Sequence, residues 1–341
     1  MATIRQIARE LGVSISTVSA VLNKRGYVSA SMRGRIEKAL RDADYQPDEI
    51  ARSLRRRETR TIGLIVPDLA NGFYAHLIRG AEDYLSSAGY RLIIAESRED
   101  WQRQKDYLLL FSAKTTDGVI LVPSFATDEQ IDLTPGLMRG TPLVYVDRSP
   151  LQVRLDSVLV DNTRATYEAT EHLLRLGHRR VCIITEPLNL LNAADRLQGY
   201  KRALRMHRIS ADPKLIWPGD NRKDSGYWGA LELFKLACRP TAVLVCNNQM
   251  TLGTLAALRD LHLSCPREVS LIGFDDFDCA ALMDPPLTMV RQPAAELGAA
   301  AAKALLKRIR DPRHEPREHA MLATQLVVRE STAPPQAVNK K

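Results

Sequence analysis

Between Ser14 and Leu22 the chain sets small hydroxyls among apolar residues, in the run Ser14-Ile-Ser-Thr-Val-Ser-Ala-Val-Leu22. Short hydroxyls such as those of Ser14, Thr17 and Ser19 suit phosphate oxygens, and such contacts position a protein on a duplex without reading its sequence. Ile15 and Ala20 offer only apolar surface, whose natural partner on a base edge is the thymine methyl, while Ser16 can donate or accept. Further along, Arg52-Ser-Leu-Arg-Arg-Arg57 supplies a dense run of guanidiniums. This is chemistry for a nucleic-acid backbone, with so little hydrogen-bonding readout that specificity needs a second element.

The surrounding residues supply elements to hold these groups. Thr3 and Gln6 stand at capping-box spacing, so a helix should begin near Ile4 and turn Ile4, Ile7, Ala8 and Leu11 to one face. Gly12 ends it. Ser14 can cap a second helix to about Leu22, with Val18, Val21 and Leu22 inward. A third helix is expected from Ala30 to Ala43, with Ser29 as its cap and Ile36, Ala39 and Leu40 inward. In a helix-turn-helix the second helix enters the major groove and its first residues meet base edges. Beyond Pro47 a short helix would bring Ile50, Ala51 and Leu54 together. So short a helix is marginal alone in water. It should form only against its twin from a second subunit and a minor groove, where an apolar wedge unstacks a base step and bends the duplex.

Charge supports the same division. Residues 1–60 hold 13 Lys/Arg against 7 Asp/Glu, a net +6 of the chain's +8. A basic face on three short helices also describes other small helical modules, and the basic strap behind them is what favours a duplex.

From Thr61 the texture changes. Strand-length apolar runs recur at Ile62–Val66, Arg91–Ala95, Gly118–Val122, Leu143–Val146, Val181–Ile184, Ala242–Val245 and Val269–Ile272. Amphipathic segments such as Phe73–Ala88, Thr163–Leu176 and Ala194–Met206 separate them. Near-continuous apolar strands alternating with helices imply parallel sheets covered on both faces. Two doubly wound lobes are expected, with a ligand crevice outside the carboxyl ends of their strands.

With 341 residues, 45% hydrophobic and 26% charged, the chain has room for two or three domains. No run approaches the roughly 18 apolar residues of a membrane span. The charged opening Met-Ala-Thr-Ile-Arg-Gln-Ile-Ala-Arg-Glu is unlike a signal peptide, so a cytoplasmic location with no membrane partner is expected. Five cysteines without C-x-x-C spacing read as reduced, mostly buried thiols rather than disulfides or a zinc site. There is no G-x-G pair, G-x-S-x-G elbow, P-loop or H-E-x-x-H, and the histidines make no metal spacing. Enzyme, metal and cofactor chemistry are therefore not expected. A solute-binding protein alone would need only the later residues and an export signal.

The opening Thr3–Asn23 and the segment Tyr45-Gln-Pro-Asp-Glu-Ile-Ala-Arg-Ser-Leu54 resemble the head and hinge of the lactose-repressor/galactose-repressor family of transcriptional regulators. The resemblance continues in order through Thr61-Ile-Gly-Leu-Ile-Val-Pro-Asp68, Asp117-Gly-Val-Ile-Leu121, Val146-Asp-Arg148, Val160-Asp-Asn162, Arg196-Leu-Gln-Gly-Tyr200, Gly273-Phe-Asp-Asp276 and Pro286-Leu-Thr-Met-Val-Arg-Gln-Pro293. It implies a small all-α helix-turn-helix head on an α/β core of two doubly wound parallel-sheet lobes resembling a periplasmic-binding-protein fold. The implied division is 1–46 DNA-binding domain, 47–60 hinge helix and linker, 61–161 with 291–320 the core N-lobe, 162–290 with 321–330 the core C-lobe, and 331–341 a flexible tail. It implies a homodimer on near-palindromic double-stranded operator DNA, touched by Ser14, Ile15, Ser16, Thr17, Ser19, Ala20, Asn23, Arg52 and Arg55, with Leu54 the minor-groove wedge. It also implies a small effector between the lobes, a sugar or sugar derivative, lined by Phe73, Tyr74, Asp147, Arg196, Asn247 and Asp275. A nucleobase- or nucleoside-responsive regulator of the same family is the alternative.

The chemistry of that last set fits independently. Asp147, Asn247 and Asp275 each follow an expected strand, and carboxylates and amides with one guanidinium grip vicinal hydroxyls. The blander reading is that Asp275 and Asp276 cap a turn and Arg196 pairs with a neighbouring acid. Departures from the family pattern sharpen the expectation. Ala20 replaces a larger base-reading side chain, Asn248 a usual aspartate, and Asn221 a frequent aromatic, and Leu190 lacks the arginine of purine-binding members. These favour a neutral polyhydroxylated effector.

Overall fold

Thr3 begins the chain's first helix as its spacing predicts. Its Oγ1 accepts from Gln6 N at 3.3 Å while Gln6 Oε1 accepts from Thr3 N at 2.8 Å. This computed structural model describes residues 3–22, 25–45, 58–124, 128–150, 155–313 and 319–336. The expectations for Asn23, Arg52, Leu54 and Arg55 lie outside those residues. The chain falls into two units, 1–59 and 60–341.

In the first unit α1 (Ile4–Leu11), α2 (Ile15–Leu22) and α3 (Ala30–Asp42) enclose Ile7, Ala8, Val18, Val21 and Ile36. Gly12 closes α1 at φ 66°, a left-handed conformation that costs glycine little. Ser14 opens α2 by accepting from Thr17 N at 3.1 Å. Ser29 stands before α3 but makes no capping bond, so that expected cap is absent. Its hydroxyl faces that of Ser31 instead.

The second unit carries two six-stranded sheets. In the first, β1 (Thr61–Val66), β2 (Arg91–Glu96), β3 (Gly118–Leu121), β4 (Leu143–Val146), β5 (Asp156–Val160) and β11 (His319–Leu322) run in the order β11-β5-β4-β3-β1-β2, all parallel. In the second, β6 (Val181–Thr185), β7 (Ile216–Pro218), β8 (Ala242–Val245), β9 (Ser270–Phe274), β10 (Thr288–Arg291) and β12 (Gln325–Val327) run β12-β10-β9-β8-β6-β7, with only β12 antiparallel. Helices α4 (Gly72–Ser87), α5 (Trp101–Ser112), α6 (Asp128–Leu137) and α11 (Ala294–Arg310) belong to the first sheet, and α7 (Asn162–Arg175), α8 (Leu191–Met206), α9 (Lys223–Phe234) and α10 (Asn248–Asp260) to the second. Separate apolar cores lie on the two faces of each sheet. The five strands absent from the sequence reading have weak signals. β7 is three residues ending in proline, β11 and β12 are largely exposed edges, and β5 and β10 begin on polar side chains.

The chain crosses between lobes at 161, at 292–293 and at 323–324. Two close contacts fix the first lobe. Arg308 on α11 grips Asp156 of β5 with two bonds of 2.7 and 2.8 Å. Helices α4 and α11 cross at Gly80 and Gly298, where a β-carbon on either would collide with a carbonyl oxygen of the other helix.

Two expectations need correction. The tail does not fray from residue 331: Ser331 is fully buried, its Oγ accepting from Thr288 N and donating to Leu271 O, and Ala333 bonds Ser270 and His178. These contacts satisfy backbone groups at the second sheet's edge. The cysteines are not mostly buried. Cys182 and Cys246 are, but Cys238 and Cys279 are exposed and Cys265 is intermediate. No helix among the described residues is long and apolar enough to cross a membrane.

Gly298→Ala should destabilise the core by about 1–3 kcal/mol through overpacking, read as a lowered midpoint in urea unfolding. An unchanged midpoint would show that α4 and α11 can move apart at no cost.

Candidate functional site

A polar residue that follows a buried parallel strand lands at the sheet's carboxyl edge, where ligand crevices form. Asp147 follows β4, Asp275 follows β9, Glu186 follows β6, and Asn247 comes one residue after Cys246 beyond β8. β4 and β9 hold equivalent places in their sheets, with order β2-β1-β3-β4-β5 in one and β7-β6-β8-β9-β10 in the other. The two aspartates are therefore counterparts. Each turns the chain with left-handed φ, 66° at Asp147 and 64° at Asp275, a region that aspartate tolerates better than most residues.

Burial and charge make these carboxylates unusual. Asp147 is pushed from 3.8 up to about 7, chiefly by burial, with Arg148 opposing and Asp275 adding to the rise. Asp275 is also raised, again chiefly by burial. The nearby guanidiniums are engaged elsewhere. Arg148 donates to both Glu99 oxygens at 2.9 and 3.1 Å and to Tyr74 Oη at 2.9 Å, while its Nε stands 3.7 Å from Asp147. Arg196 donates to Glu186 at 2.9 Å, Asn162 at 2.7 Å and the Cys246 carbonyl at 2.6 Å, and its guanidinium lies 3.8 Å over the Phe274 ring. Gln292 donates to Asp275 at 2.5 Å.

The six residues expected to face an effector are all buried. Tyr74 and Asn247 line a cavity of about 250 Å³ shared with Asn71, Arg148, Asp220 and Asn221. Phe73 and Asp275 line a second, of about 450 Å³, with Gln292 and Pro293. The Phe73 and Tyr74 rings meet edge to face at 5.1 Å and link the two. Asp147 and Arg196 line neither, but are charge-coupled to Asp275. Asn247 also caps α10 by accepting from Met250 N at 3.1 Å. The blander reading holds in part: Arg196 pairs with an acid, and Asp276 with Arg291 and Arg329 at 2.6 and 2.8 Å. A larger cavity of about 640 Å³ beside α10 contains none of the six and is mostly apolar.

Sequence reasoning did not select Asn71, Glu99, Glu186 or Asn192 as site residues. Glu186 obeys the rule that pointed to Asp147 and Asp275, being the first charged residue after a strand. Asn71 carried no such signal. It caps α4 by accepting from Phe73 N at 3.1 Å, which fixes the orientation of its amide. Asn71 Nδ2 then donates to Asn248 Oδ1 at 3.1 Å, and Asn248 Nδ2 returns a bond to Asn71 Oδ1 at 2.8 Å. This buried amide pair clasps the two lobes. A second link joins them where Leu191 N donates to Ser149 O at 3.0 Å beside a bridge between Pro150 and Leu190.

On the first unit, Ile15 is 46% exposed, and the Ser14 hydroxyl lies 2.6 Å from that of Ser16 and 2.8 Å from that of Thr17. Ser16, Ser19 and Ala20 share the helix with Ile15, while Val18 and Val21 are turned inward.

Residues 3–48 match the model for bacterial regulatory proteins of the lacI family, and residues 170–332 match a periplasmic binding protein-like domain. The chain is 34% identical over 321 residues to the HTH-type transcriptional repressor PurR of Vibrio atlanticus, covering 94% of this chain and 96% of that one. It is 36% identical over 331 residues to the ribose operon repressor of Haemophilus influenzae, covering 97% and 98%. A lac repressor dimer solved with operator and the anti-inducer ONPF superposes with a TM-score of 0.86 at 25% identity, covering 97% of this chain and 99% of that one.

Two outcomes test the geometry. A carboxyl group raised in the fold stabilises it below its ordinary value, and that contribution is lost as pH rises through the folded value. Core stability should therefore fall between pH 3.8 and about 7 through Asp147, and Asp147→Asn should flatten that part of the Tm–pH curve. Identical curves would remove Asp147 from the buried cluster. For the clasp, a double-mutant cycle with Asn71→Ala and Asn248→Ala should give a coupling of about 1 kcal/mol, and simple additivity would show that the pair does not hold the lobes.

Proposed function

The chain belongs to the lacI family of bacterial regulatory proteins and is a DNA-binding transcriptional regulator; from that premise we propose a cytoplasmic repressor whose operator affinity is set by a small sugar or sugar derivative held between the core lobes. The observation that carries this is the gathering of hydrogen-bonding side chains, Asp147, Arg196, Asn247 and Asp275, at the facing carboxyl edges of two sheets, on the same chain as a helix-turn-helix unit. Such groups bind hydroxyls, and in this reading the core acts by binding.

In this reading 1–46 reads DNA, 47–60 is the hinge, and 331–341 is the tail, tethered at its start; the lobes expected at 61–161 with 291–320 and 162–290 with 321–330 shift to the observed crossings at 292–293 and 323–324. Ser14, Ile15, Ser16, Thr17, Ser19, Ala20 and Asn23 meet the major groove, Arg52 and Arg55 the backbone, and Leu54 the minor groove, in a homodimer on a near-palindromic duplex. The Ser14, Ser16 and Thr17 hydroxyls, bonded to one another in the free chain, exchange those bonds for phosphate oxygens. Phe73 and Tyr74 cover the effector. Effector binding changes the closure of the lobes and releases DNA, at a coupling of about 1–3 kcal/mol.

Selection of bound duplexes from a randomised library by the full-length protein should return near-palindromic sites, with affinity falling as salt rises at a log–log slope of about −0.9 per phosphate neutralised. Adding a panel of sugars, sugar acids, sugar phosphates, amines and nucleobases should release the duplex with at least one member, and Asp275→Ala should lose that response while keeping operator affinity within a few-fold. Failure to enrich any duplex would sink the regulator reading. Release by a nucleobase alone would move the effector to the alternative class.

A further inference from the structure

We propose that the effector of the interlobe cleft is a one-ring polyol bearing a basic nitrogen, an amino sugar or sugar-like amine, and not a phosphorylated or carboxylated sugar. The inference rests on the reading of the cleft as the effector site and deepens it.

The first argument is charge. Among the described residues, Glu99, Asp147, Glu186 and Asp275 form one electrostatically coupled group with only two guanidiniums, Arg148 and Arg196. Glu99 takes Arg148 and Glu186 takes Arg196 through bonds of 2.9 Å. Two formal negative charges remain, on Asp147 and Asp275, and Asp275 adds to the hold of Asp147 on its proton. Buried like charges are costly unless a proton or a cation intervenes. At the cavity's edge the balance leans the same way, with Asp68, Glu96, Glu99 and Asp220 against Arg98, Arg148 and Arg222. A phosphate or carboxylate would enter an already negative cleft. Asp275 lines the cavity of about 450 Å³, where an ammonium could supply the positive charge that the coupled aspartates lack.

The second argument is hydrogen bonding. Asn221 lines the 250 Å³ cavity, is 9% exposed, and neither its Oδ1 nor its Nδ2 has a hydrogen-bond partner. Asn192 Oδ1 and Gln292 Oε1 are likewise buried without partners. Adding the two aspartates, the unmet capacity is mostly for accepting hydrogen bonds. A native fold leaves few buried polar atoms unpaired, and a ligand rich in donors satisfies these. Hydroxyls serve most of them and a protonated amine serves the carboxylates best. The cavity lined by Asp275 and Gln292, about 450 Å³, falls in the lower part of the usual pocket range of about 300–1,000 Å³, a size that suits a ligand of one ring.

Isothermal titration of the full-length protein near neutral pH should compare glucosamine, galactosamine and mannosamine with glucose, galactose and mannose, N-acetylglucosamine, gluconate and glucose 6-phosphate. At least one amine should bind about ten-fold more tightly than its parent sugar and its N-acetyl form, as a charged hydrogen bond requires. Asp147→Asn and Asp275→Asn should each bring that ratio toward one. A parent sugar that matches its amine, or an amine ratio that survives both substitutions, overturns the basic nitrogen while leaving a sugar effector in place. Preference for gluconate or glucose 6-phosphate overturns the charge argument. No heat from any of them overturns both the amine and the sugar-type effector, and the duplex selection then judges the DNA-binding reading separately.

Discussion

Two aspartates that cannot both be comfortably ionised dominate the core. Asp147 and Asp275 end equivalent strands of two sheets and are buried within each other's field, while the guanidiniums nearby are committed to Glu99 and Glu186. Desolvation disfavours charge on both. Most of the interlobe chemistry follows. Arg196 is drawn in to pair with Glu186 and seal against Phe274, Arg148 is pinned by Glu99 and Tyr74, and Gln292 turns its amide toward Asp275.

That cluster sits at a boundary the chain crosses three times. Three crossings do not by themselves hold two lobes in one arrangement, because short connections can hinge. The amide clasp of Asn71 and Asn248 and the link at Ser149 and Leu191 add directional bonds on top of them. An effector shifts such an equilibrium only by its differential affinity for the closed and open forms. Near this boundary the side-chain oxygens of Asn192 and Gln292 and both amide atoms of Asn221 are buried without hydrogen-bond partners. The DNA-binding unit depends on the same economy of polar groups. Its second helix opens on a hydroxyl cluster in which Ser14 bonds both Ser16 and Thr17.

Much of this was legible from residue order. The Thr3–Gln6 box, the glycine after α1, the buried Val18, Val21 and Ile36, and seven of the strands follow from local periodicity and capping, which depend on near neighbours. The family resemblance singled out Asp147, Asn247 and Asp275, and each also follows an apolar run that marks a strand's carboxyl end. Five strands, the tethering of Ser331 and the exposure of Cys238 and Cys279 were not visible, because each is decided by what another part of the chain presents.

The sequence by itself determined the helices, seven of the strands and their alternation, since helix periodicity, strand length and turn chemistry act over a few residues. Only the tertiary structure decided which charges share a dielectric. Glu186 takes Arg196, Glu99 takes Arg148, and Asn71 meets Asn248 across 177 positions of chain. Electrostatic and hydrogen-bond partnership depends on distance and burial in space, and no spacing along the chain encodes either.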